Sequence, residues 1–100
     1  MKYAFLIRGN FDSSVDKALI HDGGARIVGV KDLEDACRVA KELCDEGIGC
    51  IELCGAFEEY GAKKILEATQ NKIPIGYVVN LPEQNELCRQ VFSEINKGGI

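Results

Sequence analysis

The stretch RIVGVKDLEDACRVAKELCDEGIGCIEL, residues 26–53, decides the fold. Its first five residues are an apolar run of the strand type. From Asp32 the apolar period changes from two to about 3.6. Leu33, Ala36, Cys37, Ala40, Leu43 and Cys44 then fall on one helical stripe. Asp32 suits the N-cap, because its carboxylate can accept the free amide protons of the first turn. On the outer face Glu34 and Arg38, then Arg38 and Glu42, stand four apart and can pair. Gly47 supplies the left-handed residue that stops a helix. Residues 48–53 (IGCIEL) return to the pattern of a strand buried on both faces. Strand, helix and strand of these lengths make a parallel β-α-β unit with a right-handed crossover.

Working outward, residues 2–7 (KYAFLI) form a first strand of the same buried type, ended by Arg8-Gly9-Asn10. Residues 11–16 read as loop. Residues 18–21 and 26–30 flank Asp22-Gly23-Gly24, which predicts a β-hairpin. Downstream, residues 58–70 form a second helix with Ala62, Ile65, Leu66 and Thr69 inward. Its Glu58 and Glu59 lead and its Lys63 and Lys64 follow, as the helix dipole favours. Residues 73–79 (IPIGYVV) form a further strand with Pro74 near its start, where a missing donor is tolerable. Pro82 opens a last helix, with Leu87, Cys88, Val91, Phe92 and Ile95 as its stripe and Gly98-Gly99 as its stop. The expected fold is a single α/β domain over residues 1–100. It has about five strands in a mostly parallel sheet and three helices, in the order β-ββ-α-β-α-β-α.

Three helices are few for strands that read as buried on both faces. If the crossovers run one way, all three lie on one side and leave an apolar sheet face, which is normally an interface. A homodimer or higher oligomer with twofold symmetry is therefore expected. The rival is a doubly wound sheet covered on both faces, which needs no partner.

Composition narrows the function classes. Twelve Lys and Arg against sixteen Asp and Glu give a net charge of -4, with no basic nucleic-acid footprint. No apolar run approaches the roughly 18 residues of a membrane span. The segment MKYAFLIRGNFD reads as a strand, not a signal peptide. Five cysteines without a C-x-x-C pair read as reduced thiols of a cytoplasmic protein. One histidine and scattered cysteines give no zinc spacing, and no nucleotide or cofactor motif is present, so neither metal nor cofactor is expected.

Open parallel sheets bind ligands at the carboxyl ends of their strands. The polar residues expected there are Arg8, Asn10 and Asp12 after the first strand. Glu52, Cys54, Gly55, Ala56 and Phe57 follow from the 48–53 strand, and Tyr77 and Asn80 from the last. Cys50, Glu52 and Cys54 alternate and so share a face. Glu is seldom buried without a partner, which makes Glu52 either a general acid–base or one half of a structural pair with Arg8 or a backbone amide. Cys54 precedes a helix start whose amides favour anions, yet Glu58 and Glu59 oppose an added anion, and a buried Cys is commonly filler. His21 beside Asp22 reads either as an oriented base or as ordinary turn composition.

Taken whole, the chain resembles a family of small uncharacterised bacterial proteins of about 100 residues. The likeness is carried by YAFLIRGNFD, IHDGGARIVGV, DLEDACRVAKEL, GIGCIELCGAF and NKIPIGYVVNLPE. It implies no activity and no site residue. More loosely, GIGCIELCGAF with the helix after it is similar to one β-α unit of a (β/α)8-barrel lyase or isomerase. That likeness would make Glu52 the acid–base. The first functional expectation is a homo-oligomeric module binding a small polar or anionic metabolite. A small lyase or isomerase using Glu52, aided by His21 or Cys54, and a purely structural oligomer are the alternatives.

Overall fold

Strand β1 (Tyr3–Arg8) lies at the centre of a five-stranded sheet, although it comes first in the chain. A computed structural model describes the backbone of residues 1–98 and the side chains of residues 1–93. The order across the sheet is β2-β3-β1-β4-β5, with β2 (Lys17–Ile20), β3 (Ala25–Val30), β4 (Cys50–Leu53) and β5 (Ile75–Tyr77). All neighbours are parallel except β2 and β3, the expected hairpin. Helix α1 (Leu33–Asp45) carries the chain from β3 past β1 to β4, and α2 (Glu58–Ala68) from β4 to β5. Both crossovers advance in one direction, so the two helices pack side by side on one face.

That face holds the core. Ala4 and Leu6 of β1, Val28 and Val30 of β3, and Ile51 and Leu53 of β4 meet Ala36, Val39, Ala40 and Leu43 of α1 and Ile65 of α2. The α1 stripe is the one read from the sequence, and Asp32 caps it by accepting the Asp35 N–H at 2.8 Å. Gly47, at φ +90°, turns the chain after it. Three elements are shorter than their periodicity predicts, the first being β4, which keeps only Cys50–Leu53 of residues 48–53. Helix α2 stops at Ala68, where the Thr69 hydroxyl donates back to Ile65 O at 3.0 Å and Gln70 and Asn71 turn left-handed. Strand β5 keeps only Ile75–Tyr77, because Pro74 has no N–H and the β4 register ends at Leu53 opposite Tyr77.

The last helix departs from expectation. Pro82–Gln84 forms a 3-10 turn and α3 (Asn85–Gly98) follows, but α3 packs chiefly on that turn and not beside α1 and α2. Leu87, Val91 and Phe92 are 54%, 46% and 50% exposed. Amphipathic spacing predicts that a stripe is buried, not which surface buries it. The expected Gly98-Gly99 stop reaches residue 99, outside the described residues, as does the Ile95 side chain.

The second sheet face is correspondingly open. Tyr3, Phe5 and Ile7 of β1 alternate with the buried residues and are only half-covered, as are Cys50 and Glu52 of β4, while Ile20 and Ile27 are exposed. The reading of β1 and β4 as buried on both faces therefore holds for one face within a single chain. At the upper end of this open face Phe11 folds over Gly29, where an added Cβ would stand 2.6 Å from its ring.

Candidate functional site

The parallel strands bring their carboxyl ends to one edge, and β1 and β4 are tied there by a sulfur. The Arg8 N–H donates to Cys54 Sγ at 3.3 Å, and the Cys54 N–H donates to Leu6 O at 3.0 Å. Gly9 N–H closes the other side on Val30 O at 2.9 Å. Thiol sulfur is a weak acceptor, so the Arg8 amide stays under-satisfied. The amides of Asn10, Gly55 and Ala56 find no acceptor among the described residues. Arg8, Asn10, Gly55, Ala56 and Asn80 are all exposed or nearly so along this edge. An exposed arginine on the same edge as unpaired amides is an arrangement that favours an anion.

Other expected residues are committed elsewhere. Phe57 is 2% exposed and anchors the core, while its N–H donates to Cys54 O at 3.2 Å. Tyr77 is half-buried against the helix-side core. Asp12 shapes its own loop, accepting from Ser14 N at 3.0 Å and Ser14 Oγ at 2.6 Å. Those bonds from Ser14 hold its carboxyl below the usual carboxylate range. His21 lies in the β2–β3 turn, exposed and left-handed at φ +54° with Asp22 at the same φ. This turn is at the amino-terminal end of β3, so His21 is on the opposite edge from Arg8 and Cys54.

Glu52 occupies the open face, level with Phe5 on β1 and Gly76 on β5. It makes no ion pair or hydrogen bond among the described residues, so the pairing with Arg8 is not formed. Its carboxylate lies over β5, in room left by glycine: a Cβ on Gly76 would stand 2.7 Å from Glu52 Oε2. Cys50 shares this face, whereas Cys54, one residue beyond the strand, packs at the margin of the core. All five cysteines are free thiols, and burial raises that of Cys37. Among the described residues no cluster of ligands suits a metal ion, and no helix is long and apolar enough to cross a membrane.

One polar centre was not legible beforehand. Asp35, 9% exposed on α1, accepts from Ser13 Oγ at 3.1 Å, from Lys31 N at 3.2 Å and from Arg38 Nη2 at 2.6 Å. Burial opposes its ionisation, but the bonds from Arg38, Lys31 and Ser13 outweigh that and keep the carboxyl below its ordinary range. The cluster ties the loop that bears Asn10 and Asp12 to the start of α1. The available signal was a carboxylate three residues after the N-cap Asp32. Beside it, a groove of about 650 Å³ runs between β2 and α1, lined by Lys17, Leu19, Arg26, Arg38, Glu42 and Glu46. Four of its charges pair among themselves, Arg26 with Glu46 at 2.9 Å and Arg38 with Glu42 at 2.8 Å.

Neither a curated protein nor a solved structure matches the chain significantly. A family described only as one of unknown function, DUF6506, matches residues 1–93. With nearly the whole length matched, the chain belongs to the family of unknown function DUF6506.

Proposed function

We infer that the protein is a homo-oligomeric module that binds a small polar or anionic metabolite at the carboxyl edge of its sheet. The observation that carries this reading is the junction of β1 and β4, where, among the described residues, the Arg8 amide meets only the Cys54 sulfur and the neighbouring Gly55 and Ala56 amides find no acceptor. Unpaired donors beside a cation give an anion several bonds without rearrangement. Arg8 supplies charge, and Asn10 and Asn80 supply hydrogen bonds. Asp12, although expected among the binding residues, is engaged with Ser14 and contributes through the loop's shape.

The test is a native mass spectrum of the purified protein, followed by titration with inorganic phosphate and a panel of small carboxylates. A discrete bound mass or a saturable response is expected, and Arg8→Ala weakens it about 10- to 100-fold, the effect of one charge-assisted hydrogen bond. An Arg8→Ala protein that binds as tightly as the parent sinks this placement of the site.

A second reading, a small lyase or isomerase using Glu52, draws on the unpaired carboxylate and the space that Gly76 leaves it. It requires Glu52→Gln to abolish turnover while the melting temperature stays within a few degrees. Unfolding in that variant would make Glu52 a structural group instead.

A further inference from the structure

We propose that the open face of the sheet is covered by helix α3 of a second copy of this chain, in a reciprocal, twofold exchange. The proposal rests on the oligomeric half of the function inferred above and specifies how the copies join.

Two apolar surfaces are incompletely covered in the same chain. One is the sheet face bearing Ile20, Ile27, Tyr3, Phe5, Ile7 and Cys50. The other is the α3 stripe, with Leu87, Val91 and Phe92 about half exposed while their helix packs chiefly on the turn before it. A helix striped in this way is stable when the stripe is covered. A contiguous exposed sheet face is likewise an interaction surface. The dimensions agree. Fourteen residues of helix span about 21 Å, and the four gaps of a five-stranded sheet span about 19 Å. One α3 is therefore long enough to cross one sheet.

A second copy satisfies both surfaces at once. In a twofold arrangement each chain gives its α3 and receives its partner's, so every contact occurs twice and no surface is left to propagate a fibre. A stable interface buries roughly 1,600 Å² in total, and the exchange supplies two helix-on-sheet contacts towards it. The chain's own α3 does not serve, because it packs chiefly on the 3-10 turn before it and its stripe stays about half exposed. In the exchanged dimer Glu52 and Cys50 lie beneath the partner's helix, and Cys88 of α3, half-buried and on the stripe, faces the sheet.

Light scattering on the full chain, beside a Val91→Asp, Phe92→Asp variant, tests this. The parent is expected at twice 11.0 kDa and the variant at 11.0 kDa. A monomeric parent at micromolar concentration overturns the proposal, as does a variant that stays dimeric. A second measurement does not depend on the variant folding. A short bis-maleimide on the unaltered chain should join Cys50 to Cys88, and in a mixture of isotopically light and heavy protein the joined peptides should include light–heavy pairs. Cross-links found only within single chains overturn the exchange. Arg8→Ala keeps the dimer if the interface is right, whatever happens to the anion site, so the two ideas fail separately.

Discussion

Asp35→Ala is expected to lower the free energy of unfolding by about 2–3 kcal/mol, the range for losing hydrogen bonds to a buried charged group. In a domain of this size that is a fall of roughly 10–20 °C in melting temperature. The carboxylate is 9% exposed and holds three donors from three places: Ser13 in the first loop, the Lys31 amide and the Arg38 side chain. Without it the loop of residues 9–16 loses its tie to α1. Thermal unfolding followed by far-ultraviolet circular dichroism checks the magnitude. The pH dependence gives a second reading. Because the folded-state pKa lies below the unfolded value near 3.9, the contribution is complete above that value and disappears as pH falls through the folded one. As pH falls below about 4, the parent should therefore lose stability more steeply than Asp35→Ala. Equal acid slopes would show that the carboxylate does not stabilise the fold.

Leu6→Ala should be costlier still, about 3–4 kcal/mol from lost burial and the cavity left behind. Leu6 is 0% exposed on the central strand, held between β3 and β4 on the face that α1 covers. Its carbonyl also receives the Cys54 N–H, so collapse around the cavity would disturb the β1–β4 junction proposed for ligand binding. Denaturant titration should show the midpoint shift with little change in slope. Leu87→Ala is the contrast within the same chemistry. At 54% exposure it creates no cavity in the single chain, and a loss above about 1 kcal/mol would be measured only if a partner covers it.

How far the sequence could be read depended on the distance over which each feature is encoded. Residues 26–53 were legible because cap, stripe and stop are local, and the structure reproduces Asp32 and Gly47 in those roles. The alternation of Cys50 and Glu52 placed both on one face for the same reason. The location of α3 was not legible, since its spacing specifies a thirsty face and not the surface that meets it. The Asp35 centre was missed because one donor, Ser13, lies 22 positions away. The Arg8–Cys54 contact, 46 positions apart, was likewise beyond any motif, although both residues were expected at the same edge. His21 shows a different limit. Asp-Gly-Gly pointed to a turn, and the sheet order then put that turn on the far edge from the rest.

The central position of β1 has a consequence for synthesis. YAFLIR leaves the ribosome before both of its neighbours, β3 and β4, and the register sets Tyr3 against Ala25 and then Cys50. At the usual 5–20 residues per second, β4 follows β1 by roughly 2–10 s. Throughout that interval the nascent chain carries its most apolar strand without its second flanking strand. Closure of the sheet is thus timed by translation of α1, and a pause within residues 33–49 would prolong the period in which Phe5 and Leu6 are open to chaperones or to other chains.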